Sequence, residues 1–288
     1  MLSALSPILE NLTEGEERRR REEAWCRGHL SELCRAAADL LRAEGEADTP
    51  SELFSAASEL LRRLPPPSAE DRPLISRYLL REAERLFARP LLPIELVGGP
   101  VAPPSRARVV YVRNPLSDAA YATLSTVLKE PTVGYRQSFR ELFDDVENGY
   151  ADYAVLPLLS GGVTVASVAA LMEERGLCVG AVTPVPSGEE EIVFALLSRE
   201  AVTLRLPTYF LFRVEADGVG ETAALVSALS HLGLSLRLID SRESSLIRGR
   251  LAVRLLVEGD AERFFSLLVY LNLFFPGFMG YGYYSEVQ

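Results

Sequence analysis

The sequence predicts a multidomain chain of mixed α+β and α/β class. It has an all-helical segment over 1–89, one mostly parallel α/β lobe over 108–200 and a βαββαβ sandwich over 207–288. Three observations carry this. A chain of 288 residues exceeds one ordinary domain of about 100–150. The hydrophobic period changes from helical to strand-and-helix across a stretch rich in proline and glycine at 90–107. The final segment then alternates strand and helix in the order of a split βαβ sandwich.

From Thr13 to Arg89, alanine, leucine, glutamate and arginine dominate and strand formers are scarce. A first helix is expected over Glu14–Glu44, with Trp25, Leu30, Leu33, Ala37, Leu40 and Leu41 on one stripe, broken at Gly45. Thr49-Pro50-Ser51-Glu52 combines a hydroxyl N-cap, a first-turn proline and an early acid, so it opens a second helix that Pro65-Pro66-Pro67 ends. A third begins near Ser68 and buries Leu74, Ile75, Tyr78, Leu79, Ala83, Leu86 and Phe87. The five prolines and Gly98-Gly99 between Pro90 and Arg108 cannot continue a helix and form a linker.

In the lobe, strands are predicted at Arg108–Arg113, Thr132–Tyr135, Tyr153–Pro157, Cys178–Pro184 and Glu191–Leu197. Helices are predicted at Pro115–Leu128, Ser138–Asn148 and Val165–Arg175. This alternation implies a mostly parallel sheet covered on both faces. In the last segment, strands are expected at Thr208–Glu215, Leu234–Ser241, Gly249–Glu258 and Gly280–Glu286. Helices are expected at Glu221–Leu232 and from Asp260 through Phe275, giving one antiparallel sheet with two helices on one face.

Composition narrows the function. The net charge is −10 and the basic residues are interleaved with acids, so the field repels phosphate backbones and nucleic acid is not an expected partner. The run Arg18–Arg21 is flanked by Glu16, Glu17, Glu22 and Glu23, as on a solvated helix surface. Three cysteines, Cys26, Cys34 and Cys178, argue against a disulfide framework and fit a reducing cytoplasm. Met1–Leu12 does not read as a signal peptide. The longest apolar stretch, Phe264–Phe275, is shorter than the about 20 residues of a membrane span, so no membrane association is expected. Lys129 is the single lysine, which excludes a phosphate loop of the Gly-Lys-Ser/Thr type and leaves a Schiff-base mechanism no desolvated lysine.

Two stretches resemble a known family. The run from Ser138-Phe139-Arg140-Glu141-Leu142-Phe143 through Asn148-Gly149-Tyr150-Ala151-Asp152-Tyr153 to Pro157 resembles the first lobe of prephenate dehydratases. Thr208-Tyr209-Phe210-Leu211-Phe212 and Leu236-Arg237-Leu238-Ile239-Asp240-Ser241-Arg242 resemble the ACT domain that follows that module and binds phenylalanine as feedback inhibitor. The resemblance implies a lobe of periplasmic-binding-protein type and a C-terminal ferredoxin-like ACT domain. The N-terminal helices would occupy the position of a chorismate mutase, degenerate here because the segment contains no lysine.

The departures decide the expected chemistry. Where the family has Ile-Glu-Asn-Ser, this sequence has Leu158-Leu159-Ser160-Gly161. The family's Thr-Arg-Phe motif aligns with Ile192-Val193-Phe194. The proton donor and the cationic clamp that dehydration needs are both replaced by aliphatics, and the span from Arg106 to Glu200 is about half of the family's two-lobed module. No catalytic residue is therefore assigned. Asn114, Ser117, Ser138, Ser160, Gly161, Gly162 and Thr164 could line a half-cleft for a small anion, and turn and cap formation accounts for them equally well. By the resemblance, Gly220, Glu221 and Thr222 with Asp240, Ser241 and Arg242 stand where the family contacts its effector.

No cofactor and no metal are expected. Cys26, His29 and Cys34 are too spread around a helix for one tetrahedral site, and His29 and His231 leave few bases for a triad. The expectation is a non-catalytic, cytoplasmic, homodimeric protein that binds an aromatic amino acid or related carboxylate and regulates or assembles in aromatic amino-acid metabolism. The alternative is an active enzyme of phenylalanine biosynthesis, a dehydratase or a mutase.

Overall fold

The computed structural model describes residues 49–63, 67–69, 71–89, 91, 102–202, 204–244 and 246–288. The expected first helix, the Arg18–Arg21 run, the Cys26/His29/Cys34 group and most of the linker lie outside them. The chain divides into two compact units, Met1–Val97 with Ser266–Pro276, and Gly98–Phe265 with Gly277–Gln288.

In the first unit, α1 (Pro50–Arg63) and α2 (Asp71–Phe87) form where the pattern places them. The Thr49 hydroxyl accepts from the Glu52 N–H at 3.3 Å, while Glu52 accepts from the Thr49 N–H at 3.0 Å, so the two close a reciprocal capping box. These bonds from Thr49 hold the Glu52 carboxyl below its ordinary pKa. Leu53, Phe54, Ala57, Ile75, Leu79 and Ala83 are buried, and the Ser58 hydroxyl donates to the Leu273 carbonyl at 2.9 Å.

The second unit holds two sheets. The first is built from β1 (Arg108–Val112), β2 (Thr132–Arg136), β3 (Tyr153–Ser160), β4 (Val163–Thr164), β5 (Cys178–Ser187) and β6 (Glu190–Ser198), in the order β2-β1-β3-β6-β5 with β4 on β3. Helix α3 (Pro115–Leu124) covers one face. Helices α4 (Phe139–Glu147) and α5 (Ala166–Arg175) lie on the other. Alternation along the strands sorts the core: Val109, Tyr111, Tyr153 and Val155 face α3, while Val110, Ala154, Leu156 and Leu158 face α4 and α5.

The expectation of a mostly parallel sheet is corrected. Only β1–β2 and β1–β3 are parallel, whereas β3–β4, β3–β6 and β5–β6 are antiparallel. The cause is local. Gly188 (φ +65°) and Glu189 alone connect β5 to β6, and so short a link closes a hairpin where a parallel pair needs a crossover of a dozen residues or more. Helix α3 also stops at Leu124 and tightens into a 3₁₀ turn at Ser125–Val127.

The second sheet comprises β7 (Tyr209–Ala216), β8 (Ser235–Glu243), β9 (Leu251–Glu258) and β10 (Met279–Tyr284), all antiparallel in the order β10-β7-β9-β8. Helices α6 (Val219–His231) and α7 (Ala261–Phe274) complete the βαββαβ order, and α7 contributes residues to both units. Phe210, Phe212 and Val214 form one face of β7, where the Phe210 ring meets Phe264 of α7 at 6.2 Å. The opposite face presents Leu211, Leu256, Tyr281 and Tyr284 to Leu158, Val168 and Met172 of the first sheet's α5 side, within one continuous core.

A second tie joins the sheets. Past β10 the chain runs along the edge of β5: the Val182 N–H donates to the Ser285 carbonyl at 3.2 Å, and the Val287 N–H donates to the Val182 carbonyl at 2.8 Å. This covers an edge that would otherwise be free to pair. Gly282 permits the approach, because its φ of +127° disfavours other residues and a Cβ there would collide with the Val179 carbonyl.

Candidate functional site

Asn114 and Ser138 stand just beyond the carboxyl ends of the neighbouring parallel strands β1 and β2, but their side chains are committed to capping. Asn114 Oδ1 accepts from the Ser117 N–H at 2.9 Å, and its Nδ2 donates to the Val112 carbonyl and the Ser117 hydroxyl. The Ser138 hydroxyl accepts from the Glu141 N–H at 3.3 Å, and the Glu141 carboxylate accepts from the Gln137 N–H at 3.1 Å. Ser117 is buried beneath this cap.

Beside the caps lies an aromatic group. Tyr111 stacks on Tyr121 at 5.3 Å and meets the edge of Tyr135 at the same distance, while the Arg113 guanidinium lies 4.9 Å from the Tyr135 centroid. The Tyr111 hydroxyl donates to Asp118 at 2.7 Å. Burial, reinforced by that carboxylate, pushes its pKa well above the ordinary tyrosine value.

Ser160, Gly161, Gly162 and Thr164 belong to the β3–β4 hairpin, with Gly161 (φ +56°) and Gly162 (φ +76°) making its turn. β3 extends past the end of β1, since Val155 pairs with Tyr111 and the hairpin begins only at Ser160. The seven half-cleft residues therefore split into two capping groups and one hairpin. Ile192 and Val193 lie beside the hairpin, paired with Ser160 and Leu159, and bring no titratable group to it.

The base of this hairpin faces the second sheet, while its turn, Gly161–Val163, is exposed. Leu158, Leu159 and Thr164 meet Leu211, Leu238 and Leu256 around a cavity of about 10 Å³, which has room for about one water molecule. The Thr164 hydroxyl oxygen is buried there without a hydrogen-bond partner.

The effector candidates share one end of the second sheet, where β7 ends and β9 begins: Glu243 pairs with Leu251, and Leu251 with Ala216. Gly220, Glu221 and Thr222 form the first turn of α6. Glu221 accepts from the Asp217 N–H at 2.6 Å, and the Thr222 hydroxyl donates to the Gly218 carbonyl at 3.0 Å. On β8, Ser241 is exposed, while Asp240 and Arg242 join a charge cluster that sequence reasoning missed.

That cluster sits on the lobe-facing side of the second sheet. Asp240, Arg254 and Arg213 are directly opposed across β8, β9 and β7. Glu173 of α5 accepts from Arg213 at 3.2 Å and from Arg242 and Arg254 at closer range; Arg213 also pairs with Glu215, and Arg254 lies 3.6 Å from Asp240. Three guanidinium groups thus face three carboxylates. Arg213 and Arg254 are 5% and 8% exposed, and burial lowers the Arg254 pKa. The available signal was a charged residue amid apolar neighbours in each central strand, Phe212-Arg213-Val214 and Val253-Arg254-Leu255.

Among the described residues, no group of three or more His, Cys, Asp or Glu side chains is placed to hold a metal, and no helix is long and apolar enough to cross a membrane. No protein-family model and no curated protein matches the chain. Solved structures do. A prephenate dehydratase from Streptococcus mutans aligns at 15% identity over 63% of this chain and 100% of its own, with a TM-score of 0.52. A prephenate dehydratase from Arthrobacter aurescens, solved in complex with L-Phe, aligns at 14% identity over 62% of this chain and 90% of its own, with a TM-score of 0.49. GqqA, described as a novel type of quorum quenching acylase, aligns at 22% over 62% and 94%, also at 0.49. The Streptococcus mutans alignment shows that over about three fifths of its length this chain has a fold like that of a prephenate dehydratase.

Proposed function

We propose that this chain is a non-catalytic protein of prephenate-dehydratase-like fold that binds an aromatic amino acid or related small carboxylate through an ACT-like segment at 207–288. In this role it regulates or assembles with enzymes of aromatic amino-acid metabolism, as a homodimer in the cytoplasm. One observation carries the reading: Leu158, Leu159 and Thr164, at the base of the β3–β4 hairpin, close against the second sheet around a cavity of only about 10 Å³, too small for a dicarboxylate substrate. Dehydration of a dicarboxylate needs a positioned proton donor and a cationic clamp in a cleft that admits the substrate. Ile192 and Val193 stand beside the hairpin with the Glu190 carboxylate at its Gly161 turn, and the guanidinium groups of Arg213 and Arg254 are occupied by carboxylates.

The test has two parts. A coupled assay of the purified full chain with prephenate and with chorismate should give no turnover above background. Isothermal titration with phenylalanine, tyrosine and tryptophan should give saturable heat with at least one of them. Turnover abolished by a substitution within Ser138–Phe194 would overturn the first half, and absence of heat with all three amino acids would overturn the second.

A further inference from the structure

Three arginines converging on one glutamate form, in chemical terms, an occupied carboxylate site. Arginine suits it, because its planar fork matches the two oxygens of a carboxylate. Glu173 fills the place here, with Oε2 taking bonds from Arg213 and Arg242 and Oε1 from Arg254. The site is not saturated: Arg213 Nε and, across the small cavity that Arg254 also lines, Thr164 Oγ1 are buried without partners. It is also not sealed. Arg242 and Asp240, on the edge strand β8, are 47% and 49% exposed, whereas the Glu173 side chain is 11% exposed.

The adjoining cavity is too small for a ligand, so anything that reaches these arginines must displace the glutamate. Exchanging one carboxylate for another leaves the buried charge unchanged and returns Glu173 to water, which avoids the large cost of stripping a charge from an uncompensated cluster. Glu215 and Asp240 neutralise two of the three guanidinium groups, and the remaining charge fits a monoanion.

Resting on the reading that the chain takes a small carboxylate, we infer that the Arg213–Arg242–Arg254 cluster is the ligand's anion site, that Glu173 occupies it as an internal competitor, and that binding releases α5 from the second sheet. The ligand class is a monocarboxylate, reached from the β8 edge.

Benzoate, titrated calorimetrically into the full chain at constant ionic strength, tests this with Glu173→Gln and with Glu173→Gln combined with Arg254→Met, folding being checked by circular dichroism. Removing the competitor should tighten benzoate binding at least about tenfold over the wild type, and removing Arg254 as well should abolish it. Equal affinity in wild type and Glu173→Gln, or undiminished binding in the double variant, would overturn the inference. Should Glu173→Gln not fold, hydrogen exchange of the wild type decides: benzoate should speed exchange over residues 166–175, and unchanged or slower exchange there would overturn it. Phenylalanine heat in the wild type that Arg254→Met leaves intact would spare the proposed function and sink this site. Tightened benzoate binding with no response to any aromatic amino acid would do the reverse.

Discussion

At the residue scale, a few charged side chains stand where apolar residues would ordinarily go. Glu173 is the clearest case, since its removal leaves Arg213 and Arg254 buried with too little negative charge. Breaking a buried cluster from one side typically costs about 3–5 kcal/mol, and Glu173→Ala should lower the unfolding free energy by about that much in urea titration. Asp152 supplies a pH signature. Burial pushes its carboxyl up, but the Arg108 side-chain and backbone N–H bonds outweigh this and hold it below its ordinary value. A depressed folded-state pKa stabilises above the unfolded value of about 4 and ceases to do so as pH falls through the folded one. The stability difference between wild type and Asp152→Asn should therefore be full at pH 7 and shrink toward zero as pH is lowered below about 4.

At the scale of elements, the β5 edge depends on a short piece of distant chain. Removing residues 285–288 deletes two backbone hydrogen bonds to Val182 and the fully buried Val287 side chain. At about 1 kcal/mol per bond and about 1.5–3 for the valine, a loss of about 3.5–5 kcal/mol is expected in thermal or urea unfolding, with faster aggregation from the uncovered strand. Most elements were legible in the residues: Thr49 announced its helix as a cap, and the strands beginning near Thr208 and Gly249 showed themselves by alternation. Strand direction in the lobe was not, because β-strands read alike whichever way their partner runs. The discriminating sign was a missing helix between Ser187 and Glu190. Asn114 and Ser138 have the same chemistry whether they hold a ligand or a helix end, and in the structure both cap helices. The arginine cluster escaped notice because Glu173 and Arg254 are far apart in sequence and meet only when a helix lands on the second sheet.

At the scale of the molecule, the lobe and the second sheet of the larger unit share one core through Leu158, Met172, Leu211 and Leu256. Two elements so joined should unfold together. Leu256→Ala and Leu158→Ala, on opposite sides of the contact, should each cost about 2–5 kcal/mol and shift the same cooperative transition. Far-ultraviolet dichroism and tyrosine fluorescence should track it with one midpoint. Separate midpoints would mean that the two sheets fold independently.

The partnership of Val182 with Val287 also sets a timetable. A chain leaving the ribosome presents the outer edge of β5, the one β6 does not cover, long before residues 285–287 have been made, and β7, α6, β8, β9, α7 and β10 must all be translated first. Through that interval this border of the nascent lobe is unguarded, at the stage when association with neighbouring chains is hardest to avoid.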